Sequence, residues 1–169
     1  MSLKIDDVTR ARLVDEPLRQ AFEEHYVSVV RFCVLLSGRP DVAEDLAQES
    51  FVRLATKIEG LDVEKVGPYV RRIAVNLWKN RLRRAAVELR HRPRAEDPVS
   101  SSSGVEERDV VWTALKRLPV RQRACVVLRY YEDLPEKDVA ATLGCSVGTV
   151  KSQTSKALAR LRKEFSDVD

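Results

Sequence analysis

The sequence predicts an all-α protein built as two small helical domains joined by a flexible linker, the C-terminal one a helix-turn-helix. Three observations carry this. Apolar residues recur at three- and four-residue spacings in both parts of the chain, and long β-type alternations are absent. Glycine and proline are sparse, at 6 and 7 of 169 residues. The one long aperiodic stretch, RHRPRAEDPVSSSSGVEER at 90–108, has two prolines, four consecutive serines and a glycine, which is linker chemistry. It divides the chain into an N-terminal domain at 1–90, a linker at 91–108 and a C-terminal domain at 109–169. With 44% hydrophobic residues, a packed core is within reach.

In the first domain, Glu16 to Leu36 reads as a helix through Leu18, Phe22, Tyr26, Val29, Val30, Phe32 and Cys33. Ser37-Gly38-Arg39-Pro40 ends it. Asp41 followed by Glu44 resembles a capping box, opening a helix to about Ile58 with the stripe Ala43, Leu46, Ala47, Ser50, Phe51, Leu54 and Ile58. Glu59 to Gly67 reads as a loop. Pro68 suits the first turn of a helix to about Arg84, with Val70, Ile73, Ala74, Leu77 and Leu82 as core candidates.

In the second domain, Val110 to Leu118 is a short helix, and Pro119 opens another over Val120 to Tyr131. A third starts at Asp133-Leu134-Pro135 and ends at Leu143; Gly144-Cys145 turns the chain; Ser146 caps a fourth to about Phe165. Val139 and Leu143 give the third helix an apolar side, and Ala140 is small where two helices must cross. On the fourth, Val147, Val150, Thr154, Ala157, Leu158 and Leu161 share one stripe. The opposite face holds Gly148, Thr149, Ser152, Ser155, Lys156, Ala159 and Lys163, with Lys151 and Gln153 on its flanks. No acid occurs from Val139 through Lys163, although a merely solvated face would usually carry some. Small, hydrogen-bonding and cationic residues suit a helix entering a DNA major groove.

Net charge is only +4, but its distribution is uneven. From Lys65 to Val87 there is no acid, against Lys65, Arg71, Arg72, Lys79, Arg81, Arg83 and Arg84. Val42 to Ser50 is the reverse, with Glu44, Asp45 and Glu49 and no base. One stretch suits a polyanion, the other a basic partner. Cys33, Cys125 and Cys145 are odd in number and far apart, so neither a disulfide framework nor a metal site is expected. His25 and His91 complete no nucleophile, phosphate-loop or metal motif, so no catalytic residue and no cofactor is expected. Without a signal-type apolar segment or a run near the length of a membrane span, the chain is expected to be cytoplasmic and not membrane-inserted.

The string LPVRQRACVVLRYYEDLPEKDVAATLGCSVGTVKSQTSKALARLRK (Leu118 to Lys163) resembles region four of the extracytoplasmic-function (ECF) group of bacterial sigma factors. DVAEDLAQESFVRLATKI (Asp41 to Ile58) and PYVRRIAVNLWKNRLRR (Pro68 to Arg84) resemble their region two. SVGTVKSQTSKALARLR is similar to an actinobacterial-type subgroup. The resemblance covers almost the whole chain outside the linker and termini.

It implies a sigma factor that binds core RNA polymerase and directs initiation at promoter DNA. Glu44, Asp45, Leu46, Gln48 and Glu49 correspond to the surface that docks on the polymerase clamp helices. Arg71, Arg72, Asn76, Lys79, Asn80, Arg83 and Arg84 lie in the part that opens and holds the minus-ten element, with Asn76 and the Glu59–Gly67 loop at base-reading positions. Arg129, Lys151, Ser152, Gln153, Ser155 and Lys156 match minus-35 positions, beside Thr149 from the reading face. Gln153 and Ser155 stand where longer basic or aromatic residues are common, so no promoter consensus carries over. Tyr69 and Trp78 could stack on bases or pack internally. An anti-sigma factor is a further implied partner. A stand-alone helix-turn-helix regulator is the alternative; it would bind operators tightly without polymerase, and it leaves the charged helices of the first domain without a task.

Overall fold

The structure, a computed structural model, describes residues 7–91 and 110–166, with side chains at 16–88 and 110–166. The expected linker therefore lies outside the described residues, apart from its first position, His91, which ends a helix. The elements are α1 (Asp7–Ser37), α2 (Pro40–Ala55), α3 (Val63–His91), α4 (Val110–Arg117), α5 (Val120–Val126), a π-helical segment (Val127–Tyr131), α6 (Glu136–Leu143) and α7 (Val147–Ser166). No strand occurs among the described residues.

Gly38 stops α1 with a left-handed φ of +74°, and its N–H donates to Val34 O at 2.9 Å. Pro40 then takes the first position of α2, where its missing N–H costs nothing. The expected capping box is not formed. Arg39 is the N-cap, without a side-chain cap bond, because Pro40 draws the start one residue earlier and puts Asp41 inside the first turn. There Asp41 takes the Arg39 guanidinium at 2.6 Å, a hydrogen bond that holds its carboxyl below the usual range. α2 ends at Ala55, short of the expected Ile58, yet Ile58 still packs into the core.

α3 starts at Val63 and not at Pro68, and it runs past Arg84 to His91. Val66 and Val70 are both buried, four residues apart, so their stripe continues back through the segment expected to be a loop. Pro68 lies inside the helix as its sixth residue, so the N–H that would reach the Glu64 carbonyl is missing there. Ala85, Ala86 and Glu88 are strong helix formers and extend the far end. Leu82, expected in the core, is 37% exposed, because it borders an open cavity with Ala124, Cys125 and Leu143 and is not packed over by them.

α1, α2 and α3 bury Phe32, Leu36, Leu46, Leu54 and Val70 among them. In the second unit, α5 gives way to the π-helical segment, whose wider turn is closed by Glu132 N–H to Val127 O at 3.2 Å and Leu134 N–H to Leu128 O at 3.1 Å. The two units are not separate. The main apolar cluster continues from α1–α3 through Ala124, Cys125, Val127, Leu128, Val139 and Val150, and the Phe32 ring stacks on Tyr131 at 6.2 Å. A smaller cluster of Leu115, Leu118, Val126 and Ala157 holds α4, α5 and α7 together. Burial pushes the Cys33 thiol up to about 12 and the Cys125 thiol up to about 11, as befits packed apolar side chains.

Candidate nucleic-acid interface

The geometry of α6 and α7 follows from four small or apolar contacts. Gly144 adopts φ +68° and closes α6, with Cys145 N–H donating to Ala140 O at 3.0 Å. Ser146 Oγ accepts the Thr149 N–H at 3.0 Å, so the expected cap of α7 is formed. Val139, Ala140 and Val150 are buried where α6 and α7 meet, while Ala157 is buried farther along α7 with Leu115, Leu118 and Val126. This fixes the outward face of α7, on which Lys151, Ser152, Ser155 and Lys156 are exposed.

The remaining minus-35 candidates are placed differently. Thr149 is half-buried, with its hydroxyl 2.9 Å from Ser146 Oγ. Gln153 is half-buried and lines a cavity of about 180 Å³ shared with Trp78, Lys79 and Arg83 of α3. Arg129 stands off α7 altogether. Its guanidinium donates to Leu134 O and lies 5.8 Å from the Tyr130 ring, so it braces the turn into α6. Lys151 Nζ is 3.7 Å from Glu136 Oε2, a loose surface pair.

On α3 the basic candidates divide by face. Arg72, Asn76, Asn80 and Arg83 are exposed and recur at helical spacings, with Arg84 beside them. Val70, Ala74 and Leu77 face inward. Arg71 is half-buried, its Nη2 3.2 Å from Ser28 Oγ and its Nε 3.2 Å from Glu132 Oε1 in an ion pair without hydrogen-bond alignment. Lys79 Nζ donates to Thr142 O of α6. Burial, helped by Arg83, lowers its pKa. Trp78 is only 4% exposed and so packs internally, while Tyr69 is half-buried.

α2 has two unlike faces. Glu44, Asp45 and Gln48 are exposed and Glu49 is half-exposed. Asp45 stands 3.6 Å from Arg81, and Glu49 pairs with Arg53 at 2.7 Å. Leu46 is fully buried among α1–α3. That corrects its expected place on the docking surface: at this position the helix points inward, so Leu46 supports the acidic face from below. The sequence reading passed over Val52, which is 68% exposed four residues beyond Gln48 and adds an apolar spot to the acidic face. Its exclusion from the apolar stripe was the available signal. It also passed over Arg123, a buried cation, and it counted Arg81 only among the cations of the acid-free stretch and not as the partner of Asp45.

No described helix is long and apolar enough to cross a membrane. Among the described residues no three His, Cys, Asp or Glu side chains are grouped to hold a metal ion.

Comparison with known proteins matches residues 21–87 to the family described as Sigma-70 region 2 and residues 108–161 to Sigma-70, region 4. RNA polymerase sigma-E factor of Streptomyces antibioticus is 36% identical over 136 residues, covering 77% of this chain and 74% of that protein. ECF RNA polymerase sigma factor SigM of Mycobacterium tuberculosis is 33% identical over 146 residues, covering 85% of this chain and 74% of that protein. Among solved structures, the sigma factor RpoE from Bartonella quintana, crystallised with the anti-sigma factor NepR, has a similar fold. Its TM-score is 0.63 at 23% identity, covering 88% of this chain and 96% of that one.

Proposed function

The chain belongs to the ECF sigma factors, and we propose that it directs initiation by docking α2 on core RNA polymerase, reading the minus-ten element with α3 and reading the minus-35 element with α7. As a sigma factor it is an initiation factor and not an enzyme. The observation that carries the finer reading is the segregation of charge. Acids occupy the exposed face of α2, while α3 from Lys65 to Val87 and α7 up to Lys163 carry none. An acidic helix repels DNA and attracts a basic protein surface; the acid-free helices do the opposite.

On α3, Asn76 is the base reader, since its amide offers both donor and acceptor. Arg72, Asn80, Arg83 and Arg84 hold the backbone of the opened strand, and Arg71 and Lys79 join them if freed from their protein partners. On α7, Ser152 and Ser155 approach base edges while Lys151 and Lys156 contact flanking phosphates. Arg129 acts by bracing the turn into α6. The protein works in the cytoplasm, and an anti-sigma factor is its expected regulator.

Asn76→Ala is expected to lower open-complex formation about tenfold with no change in core polymerase affinity, because one base contact is worth about 1–3 kcal/mol. Permanganate footprinting of the minus-ten region reads this, and normal opening would remove Asn76 from the site. For the double variant Lys151→Ala with Lys156→Ala, the plot of log affinity against log salt on minus-35 duplex should flatten by about two, at about 0.9 per lost phosphate contact. An unaltered slope would place both lysines in solvent.

A further inference from the structure

We infer that Cys125 and Cys145 form an oxidisable thiol pair, a modification site for small peroxides in the wall of one cavity beside the first turn of α7. Both are free thiols in the structure. Cys145 follows Gly144 in the turn between α6 and α7, where its N–H donates to Ala140 O at 3.0 Å. Cys125 lies on α5 and is 1% exposed. Both line the cavity of about 180 Å³ that Lys79, Thr149 and Gln153 also border. The third cysteine, Cys33, is buried in the cluster of α1–α3 and does not border it.

The two sulfurs are near enough to act on each other. Burial, and after it the neighbouring Cys145, pushes the Cys125 thiol up to about 11. The Lys79 ammonium closes the group, 3.8 Å from where a Cβ on Gly144 would stand. A space of about 180 Å³ admits water and molecules little larger, such as hydrogen peroxide, and excludes a protein oxidant.

Exposure orders the chemistry. Cys145 is half-buried and meets solvent, while Cys125 is sealed and held protonated. Thiolates and not thiols attack, so Cys145 reacts first. Its sulfur takes one oxygen of a peroxide: the S–O bond forms, the O–O bond breaks, the sulfur is oxidised to a sulfenic acid, and the reduced peroxide leaves as an alcohol, or as water from hydrogen peroxide. Cys125 then attacks that sulfur. The S–S bond forms, the S–O bond breaks, and the departing hydroxide carries off the Cys125 proton as water. Two thiols and one peroxide thus give one disulfide, one alcohol and one water.

The new bond ties the turn before α7 to α5. Ser146, whose hydroxyl caps α7, is the next residue, and Thr149 and Gln153 stand on the same wall. Oxidation therefore displaces the start of α7. That this lowers minus-35 affinity rests on the sigma-factor reading; the thiol chemistry does not.

The full-length chain, reduced and then freed of reductant, is titrated with hydrogen peroxide. Its free thiols should fall from three to one, with the mass of two hydrogens lost and Cys125 joined to Cys145 in a non-reducing peptide map. Dithiothreitol should reverse the change. Cys125→Ala should stop at a Cys145 sulfenic acid that dimedone traps, and Cys145→Ser should keep its remaining thiols reduced at the same dose. If Cys125→Ala fails to fold, the wild-type map decides alone. Thiols that stay reduced at doses that oxidise free cysteine, or a bond that joins two chains or includes Cys33, overturn the pair. On oxidation, affinity for the minus-35 duplex of a promoter on which the reduced holoenzyme initiates should fall about fivefold or more, the loss of one base contact, and Cys145→Ser should lose none. A cross-linked chain of unchanged affinity, where the reduced holoenzyme does initiate, overturns the effect on α7. A reduced holoenzyme that initiates nowhere defeats the sigma reading instead, and the peptide map still judges the pair.

Discussion

Glu44→Lys combined with Asp45→Lys is expected to abolish co-purification with core RNA polymerase while leaving the fold intact. Both carboxylates are exposed on α2. The only described contact at stake is the 3.6 Å pair of Asp45 with Arg81, whose side chains are 66% and 38% exposed, and a screened pair of that kind is worth less than about 1 kcal/mol. Docking on a basic surface is a different matter. Reversing two adjacent charges converts attraction into like-charge contact, which costs several kcal/mol. At about 1.4 kcal/mol per tenfold, affinity should fall at least a hundredfold. A pull-down with core enzyme, beside a thermal melt, checks both halves. Undiminished capture would show that polymerase engages another face.

Leu46→Ala should behave in the opposite way. Leu46 is fully buried under the acidic face, inside the cluster shared by α1, α2 and α3. Truncating a buried leucine costs about 2–5 kcal/mol, from lost burial and the cavity left behind. For a chain of this size each kcal/mol moves the midpoint by about 2–4 °C, so the melting temperature should drop by roughly 5–15 °C. The folded fraction should still bind core polymerase at low temperature, since the exposed acids remain. A melt unchanged within a degree would contradict the burial; loss of docking without loss of stability would return Leu46 to the interface.

These two substitutions, one residue apart, show where the sequence was legible and where it was not. Periodicity placed Leu46 on the apolar stripe of α2, and that placement held; the family motif drew it onto the docking surface, and packing took it back. Local chemistry was readable at Gly38, Gly144 and Ser146, where a turn or a cap depends on residues within a few positions. It misled at Asp41, because Pro40 claimed the helix start, and at Val63–Gly67, because burial of Val66 outweighed the look of a loop. Least legible was the seam between the two units. An amphipathic pattern says which side of a helix is apolar and not which partner covers it, so Leu128 and Val139 read as core of the second unit when they also close onto the first. Arg123 sat in the sequence as one more surface-type cation. Only the fold brings it to the end of α1.

For the candidate site, charge segregation was visible from sequence because it needs no tertiary information. The division of α3 into free and engaged cations was not. Arg72 and Arg71 are neighbours in sequence, yet the first is exposed and the second is half-buried against Ser28 and Glu132.

The central claim, that this chain selects promoters as a subunit of polymerase, is tested most directly by transcription in vitro. Purified chain, core RNA polymerase and a genomic fragment library would be combined and the 5′ ends of the transcripts mapped. Start sites should appear only when chain and core are both present, with a shared pair of upstream elements at minus-ten and minus-35. Contradiction would be a chain that binds particular duplexes tightly by itself while core polymerase gains no new start sites from it.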